Sequence, residues 1–238
     1  PTNVPQTATY TVTPTSGAAG SCVGPSFTVT VTVNPTPVVP AQTREICSGT
    51  SFTVNPVNAA PTTIVPSGTT YTWTAPVVTG GITGGSAQAI GQPTISQTLT
   101  NPTNVPQTAT YTVTPTSGAA GNCVGPTFTI TVTVNPVPSI GAQVPPDICS
   151  AGTFTVAPVN GVGGAIVPAG TTYTWPAPVV TGGITGGSAQ AVGQPTISQT
   201  LVNPTNVVQT ATYTVTPTSG AAGSCVGANF TVTVTVNP

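Results

Sequence analysis

The sequence predicts an all-β protein built from β-sandwich domains in tandem, and three observations support this fold class. Several runs alternate apolar residues with threonine, and a period of two is typical of strands that bury one face. No stretch has the three and four spacing of a helix, and 28 Pro and 27 Gly interrupt the chain. The sequence also repeats itself at about 100 residues, a length that fits an independently folding β-domain and exceeds a solenoid unit.

The individual strands follow from the alternating runs. The clearest runs are 108–114 and 127–134, and shorter ones lie at 52–54, 71–73 and 94–99. Threonine suits the solvent face because it is β-branched and polar, so it favours the pleat without a charge. We expect about seven short antiparallel strands per 100 residues, joined by Gly and Pro turns, as in a sandwich of the immunoglobulin type.

The repeat gives a domain division. The stretch that begins at Pro1 returns at Pro102 and Pro204, at spacings of 101 and 102 residues, and Thr-Val-Asn-Pro closes every copy. We therefore predict the C-terminal part of an incomplete β-sandwich repeat at 1–35 and complete repeats at 36–136 and 137–238. Because Pro1 falls two-thirds of the way through a copy, we expect further copies of the same repeat in a longer chain.

Four aromatic residues occupy positions that an immunoglobulin-type sandwich uses for its core. Trp73 and Trp175 lie on the third strand of their copies, and Tyr111 and Tyr213 lie on the penultimate strand, where such folds tie down a corner. We predict that these side chains pack in the core. The alternative is a platform on which sugars stack, but only 5% of the residues are aromatic, too few for both a core and a ligand face.

The charged residues restrict function strongly. They are Arg44, Glu45 and Asp147, and the chain has no His. General acid–base catalysis and metal binding need clusters of ionisable groups, so we expect no catalytic residue, no cofactor and no metal site. One Arg cannot neutralise a phosphate backbone, and no apolar stretch is long enough to cross a bilayer, so we expect neither nucleic-acid binding nor membrane insertion. Arg44 and Glu45 are predicted to lie in a solvated loop that occurs in one copy only.

Several motifs resemble a known family. They are Ile-Cys-Ser-Gly at 46–49, Thr-Tyr-Thr-Trp at 70–73, Ala-Thr-Tyr-Thr-Val-Thr-Pro at 109–115, Cys-Val-Gly-Pro at 123–126 and Thr-Val-Asn-Pro at 133–136. This pattern resembles the PKD-like, immunoglobulin-like repeats of giant Bacteroidota surface proteins, which the type IX system secretes and which include gliding-motility adhesins. The resemblance implies extracellular spacers or stalks without catalytic residues. The acidic turn that ordinary PKD domains carry after the Trp is replaced here by 74–76.

The cysteines recur at fixed positions, which favours disulfides in an oxidising, extracellular setting. The disulfide candidates are Cys22, Cys47, Cys123, Cys149 and Cys225. One pairing staples each complete copy, Cys47 with Cys123 and Cys149 with Cys225, and a second joins Cys22 to Cys47. A third joins Cys47 to Cys225 across the junction between copies.

Geometry bears on these alternatives if the topology is immunoglobulin-like. Cys47 then lies at the end where the chain leaves its domain, and Cys123 lies at the opposite end. A strand of eight residues spans about 26 Å, whereas bridged cysteines need Cα atoms within about 7 Å. The third pairing, Cys47 with Cys225, becomes feasible in a head-to-tail rod. Disulfides within one domain are more common than disulfides between domains, so the sequence leaves the choice among the three pairings open.

These observations predict a structural stalk segment of an extracellular, filamentous cell-surface adhesin that provides reach and transmits force, for example in gliding motility. The alternatives are a polysaccharide-binding module or a spacer of a secreted multidomain enzyme. The net charge of −1 leaves little repulsion between chains, so we also expect lateral self-association or a glycan coat. A surface polysaccharide is the partner that the binding alternative requires.

Overall fold

The computed structural model describes residues 2–238, and nearly all of its regular structure is β. It starts with a hairpin of strands β1, Gln6–Val12, and β2, Phe27–Val33. The hairpin is antiparallel, with Gln6 opposite Val33 and Val12 opposite Phe27. No second sheet packs on this hairpin within residues 2–238, so Tyr10 and Val31 are 58% and 44% exposed.

The second part of the chain forms a sandwich, called the middle sandwich below. Its strands are β3 (Gln42–Cys47), β4 (Thr50–Val54), β5 (Thr70–Trp73), β6 (Val77–Val78), β7 (Gln88–Gln92), β8 (Ile95–Leu99), β9 (Gln107–Thr116) and β10 (Phe128–Asn135). One sheet has the order β3-β10-β9-β5-β7, with β6 also paired to β9, and β4 pairs with β8 in the other. Every pair is antiparallel except β3 with β10, which run parallel.

The alternating sequence of β9 and β10 builds the core of the middle sandwich. Tyr111, Val113, Ile130 and Val132 are wholly buried, while the threonines between them face outward. Each such aliphatic side chain contributes about 1.5–3 kcal/mol through removal of apolar surface from water. Thr129 on β10 lies directly opposite Thr112 on β9, so the outer face is held by β-branched pairs instead of charges.

The third part repeats this arrangement and is called the last sandwich. Its strands are β11 (Ile148–Cys149), β12 (Gly152–Val156), β13 (Thr172–Trp175), β14 (Val179–Val180), β15 (Gln190–Gln194), β16 (Ile197–Leu201), β17 (Gln209–Thr218) and β18 (Phe230–Asn237). The sheets are β11-β18-β17-β13-β15 with β14 on β17, and β12-β16. A separate buried core runs from Ile140 to Val236.

The prediction of an all-β sandwich fold is confirmed, and three details differ from the sequence-based expectations. The predicted loop at Arg44 and Glu45 is part of strand β3, because its backbone pairs in parallel with β10. A three-residue 3-10 helix, Val162–Gly164, occupies a connection where no helix was expected. Strands β6 and β7 fall outside the predicted runs, since their side chains are largely exposed and do not alternate.

Candidate functional site

A disulfide joins the middle sandwich to the last sandwich. Cys47, the final residue of β3, is bonded to Cys225, which lies in the connection between β17 and β18. Their Cα atoms are 5.7 Å apart, an ordinary separation for a disulfide. Of the three pairings that the sequence left open, the structure contains the one that crosses the junction.

The strand pairing explains why Cys47 lies at the junction. In the parallel register of β3 and β10, Cys47 is opposite Asn135, the last residue of the middle sandwich's final strand. The Ser48 N–H donates to the Asn135 carbonyl at 2.9 Å, and the Thr50 hydroxyl donates to the Cys47 carbonyl at 2.7 Å. The Cys47 sulfur is therefore held at the end from which the chain leaves the sandwich.

A tight loop presents the other cysteine. Gly223 and Ser224 have positive φ values of 81° and 45°, and the Ser224 N–H donates to Ala221. The Ser219 N–H donates to the Cys225 carbonyl at 2.9 Å, which closes the loop beneath the cysteine. Cys225 is only 2% exposed, so its sulfur is shielded from solvent.

A carboxylate and an amide complete the junction, and sequence reasoning missed both. Asn135 is 1% exposed, and its Nδ2 donates to Glu45 Oε1 at 2.7 Å. The same nitrogen lies 3.2 Å from the position that a Cβ on Gly223 would take, so the Gly223 loop packs directly on the amide. Asn135 Oδ1 is buried without a hydrogen-bond partner. Asn135 thus links the Glu45 strand to the loop that carries Cys225.

Glu45 is exposed to solvent as predicted, but it lies on strand β3 and not in a loop, and its position is not confined to one copy. Glu45 lies two residues before Cys47, and Asp147 lies two residues before Cys149, so both acids of the chain occupy one equivalent position. Residues two apart on a strand share a face, which directs this acid toward the cysteine's side of the sheet. The sequence signal that could have revealed this site is that each acid of the chain precedes a cysteine by two residues.

The contact between the first hairpin and the middle sandwich resembles this junction but has no disulfide. Asn34 Nδ2 lies 3.2 Å from the Cβ position of Gly121, two residues before Cys123, just as Asn135 faces Gly223. Cys123 is half-buried and unpaired in this chain, and Cys22 and Cys149 are exposed and unpaired. The packing of Asn against Gly is therefore present at both contacts, with or without the covalent bond.

The four predicted core aromatics all lie inside the sandwiches. Trp73 and Trp175 are 7% and 5% exposed, and Tyr111 and Tyr213 are fully buried. Each indole N–H donates to a backbone carbonyl, that of Ser86 for Trp73 at 3.0 Å and the equivalent one for Trp175 at 3.1 Å. These four rings are thus packed in the cores and offer no open face for stacking on a sugar.

The tyrosine hydroxyls are tied to a side chain instead of to a backbone corner. Tyr111 donates to Gln97 Oε1 at 2.9 Å, and Tyr213 makes the same bond to Gln199. Burial raises the pKa of both tyrosines to about 12, because the ionised form would lose its hydration. These groups stay neutral and structural at physiological pH.

Two surface hollows lie away from the disulfide. A groove of about 540 Å³ runs beside Trp73 and is lined mainly by threonine and alanine side chains, including Thr112 and Thr114. A second hollow of about 490 Å³ lies between the hairpin and Ile64. Residues 2–238 contain no cluster of three His, Cys, Asp or Glu side chains that could hold a metal. In the same residues, no helix has the length and apolar character that crossing a membrane requires.

Comparison with known families agrees with this architecture. A sequence profile described as a PKD-like domain matches residues 2–37, 44–138 and 147–238. The chain belongs to the PKD-like domain family. PKD-like domains are typically structural and non-catalytic, so this chain consists of modules suited to a structural or spacer role. No curated protein matches the sequence.

Solved structures with similar folds are tandem β-domain proteins, at low similarity to this PKD-like chain. The chicken CNTN1 FN1-FN3 domains are 11% identical over 98% of this chain and 76% of that one, with a TM-score of 0.34. Drosophila N-cadherin EC1-4 is 13% identical over 100% and 59%, with a TM-score of 0.31. Clostridium thermocellum CbhA fibronectin(III)-like modules are 9% identical over 84% and 93%, with a TM-score of 0.25. No functional argument rests on these values.

Proposed function

We propose that this chain is a structural stalk segment of an extracellular, filamentous cell-surface adhesin, which provides reach and transmits force. The observation that carries the proposal is the disulfide between Cys47 and Cys225, because it fastens two sandwiches to each other across their junction. Such a bond is compatible with an extracellular location, where disulfides persist. The motif resemblance to type IX secreted gliding adhesins supports a Bacteroidota surface protein as the host.

The same proposal includes the repeat boundaries and the remaining cysteines. We propose repeats at 36–136 and 137–238, preceded by part of another at 1–35, within a longer array of the same repeat. In that array Cys22, Cys123 and Cys149 pair with cysteines of neighbouring repeats. Support comes from the contact between the hairpin and the middle sandwich, where Gly121, two residues before Cys123, packs on Asn34 as Gly223, two residues before Cys225, packs on Asn135.

Two measurements on the full chain test the stalk. Small-angle scattering of the oxidised protein is expected to give a radius of gyration well above the roughly 18 Å of a compact 238-residue domain, because the repeats are joined end to end. The Cys149→Ser variant is the matched control, and it should give the same value. Antibodies against the chain should label thin filaments on intact cells of the source organism. A radius near that of a compact domain, or label confined to the cell interior, would contradict the proposal.

Polysaccharide binding is the alternative that the core aromatics count against. A sugar-stacking platform needs an open ring face, and Trp73 and Trp175 are packed in the sandwiches with their N–H groups bonded internally. The groove beside Trp73 offers threonine hydroxyls, which could contact a glycan weakly. Titration with a panel of bacterial surface polysaccharides is expected to show no saturable binding, and saturable binding would favour the alternative.

Lateral association of stalks is supported by exposed apolar side chains that recur in both sandwiches. Val77 and Ile90 are 78% and 74% exposed, and their equivalents Val179 and Val192 are 79% and 70% exposed. With a net charge of −1, little repulsion opposes contact between such surfaces. Sedimentation at rising concentration should show reversible self-association that Val77→Thr with Val179→Thr weakens. A strictly monomeric, unmodified chain would count against it.

A further inference from the structure

The disulfide connects two points that lie far apart along the chain. Cys47 closes the first strand of the middle sandwich, whereas Cys225 precedes the last strand of the last sandwich. Their separation in sequence is 178 residues. Nearly all of both sandwiches, residues 48–224, therefore lies inside the loop that this bond closes.

We propose that the Cys47–Cys225 disulfide is a mechanical shortcut that takes residues 48–224 out of the path of tension. The inference rests on the proposed stalk function. When the two ends of the chain are pulled, the shortest covalent path runs to Cys47, crosses the sulfur–sulfur bond and continues from Cys225 through β18. The strands between these cysteines fold, support and orient the path, but their peptide bonds carry no axial load.

The shortcut changes the extensibility of the chain by a large amount. Without the bond, unfolding of both sandwiches would release 178 residues, or about 600 Å of contour length at roughly 3.3–3.6 Å per residue. With the bond, the same points cannot separate beyond the 5.7 Å between their Cα atoms without large distortion. The linkage makes the pair of sandwiches nearly inextensible even if one of them unfolds.

The segments that remain in the path are already extended. Strand β3 leads into Cys47, and β18 begins five residues after Cys225. A strand rises about 3.3 Å per residue, close to the limit of a fully stretched chain, so pulling on it gains little length. In addition, β3 is held along its whole length by β10, and β18 by β17.

The same logic extends to the longer array that we propose. Cys123 and Cys149 stand in the positions of Cys225 and Cys47, and they are 26 residues apart in a segment that contains β10 and β11. If each bonds to a neighbouring repeat, residues 123–149 form a second covalent line of tension beside the one through Cys47 and Cys225, and only the rest of residues 48–224 stays outside both lines. Each new bond joins two thiols, and the two protons and two electrons pass to a dithiol–disulfide oxidant, which is reduced.

Single-molecule stretching of the full chain, held through handles at its two termini, tests the shortcut. The oxidised chain is expected to end about 600 Å shorter in contour length than the same chain after reduction with a phosphine, at forces that leave disulfides intact. Residues 2–46 and 226–238 extend in both states and give a common baseline. Cys47→Ser should match the reduced chain, and Cys149→Ser should match the oxidised one.

The possible results test the shortcut independently of the stalk proposal. Release of about 600 Å from the oxidised chain, or peptide mapping that finds Cys47 bonded to Cys123, would overturn the shortcut. Either result would leave the scattering and surface-labelling outcomes unaffected, so a stalk without a shortcut remains distinguishable. A compact radius of gyration together with a preserved contour difference would instead reject the stalk and keep the shortcut.

Discussion

Removal of the Glu45 carboxylate should weaken the middle sandwich measurably. Glu45→Ala deletes the acceptor of the 2.7 Å bond from Asn135 Nδ2, and Asn135 is 1% exposed. Since Asn135 Oδ1 already lacks a partner, the variant leaves both amide atoms of a buried side chain unsatisfied. Hydrogen bonds to charged groups contribute about 1.5–3 kcal/mol to the free energy of unfolding. Because Glu45 is exposed to solvent, we expect this bond to contribute a value near the lower limit. We expect a loss of about 1.5 kcal/mol in the free energy of unfolding.

Urea unfolding measures this loss. Trp73 reports on the middle sandwich, so the experiment uses Trp175→Phe as a common background and follows fluorescence. For a domain of about 100 residues, a loss of 1.5 kcal/mol lowers the urea midpoint by about 1 M. The slope of the transition should not change, because the variant alters no large buried surface.

Two matched variants separate the hydrogen bond from the charge. Glu45→Gln keeps an acceptor at the same position and should recover about half of the loss. Asp147→Ala removes the equivalent acid of the last sandwich, whose partner position Asn237 is half-buried at the end of β18, and should change stability by less than about 0.5 kcal/mol. If Glu45→Ala and Asp147→Ala have the same small effect, the Asn135 contact does not stabilise the junction and the reasoning is wrong.

Three further outcomes follow from the structure. Gly223→Ala introduces a Cβ at φ +81° and 3.2 Å from the Asn135 amide nitrogen, so it should lower the free energy of unfolding by about 1–2 kcal/mol. A thiol titration should also find a smaller fraction of protein with the disulfide formed. Gly141→Ala places its Cβ in open space and should have neither effect. Tyr111→Phe deletes a buried hydrogen bond and should lower the free energy of unfolding by about 1 kcal/mol in the same urea assay, and an unchanged midpoint would contradict this. Because burial raises the pKa of Tyr71, Tyr111 and Tyr213 to about 12, these tyrosines stay protonated in the folded chain while they ionise near pH 10 in the unfolded one. In a Tyr10→Phe background, which leaves only buried tyrosines, stability should therefore fall as pH rises from about 10 to 12, with tyrosinate absorbance at 295 nm appearing together with unfolding. Tyrosinate formation well before unfolding in that background would refute it.

The regular pattern of the sequence was sufficient to predict the strands that form each core. In β9 and β10 the alternation of apolar and threonine residues matches the pleat, so burial follows directly from residue order. The same pattern could not predict β6 or β7, which are held by backbone pairing with β9 and β5 and bury little apolar surface. Local pattern therefore misses strands such as β6 and β7, which place neither face in a core.

The candidate site shows the limit of such reasoning more clearly. An immunoglobulin-like topology implied that Cys47 lies at one end of its domain, but three pairings stayed open, because a pairing depends on distances between residues as much as 178 apart in sequence. Glu45 was predicted to be a loop residue because charge suggests solvent, whereas parallel pairing with β10 keeps it on a strand beside Asn135.

Residue types and their spacing were enough to establish that this protein is all-β, built from repeats and nearly free of charged side chains. Tertiary structure decided which cysteines meet, which amide is buried beneath the Gly223 loop and which carboxylate receives its hydrogen bond. Those contacts join separate sandwiches or distant strands, and they exist only after each core has folded and fixed the direction of its ends. The order of residues along the chain determines the strands and core of each sandwich. The contacts at the junction are determined by how the end of one sandwich packs on the next.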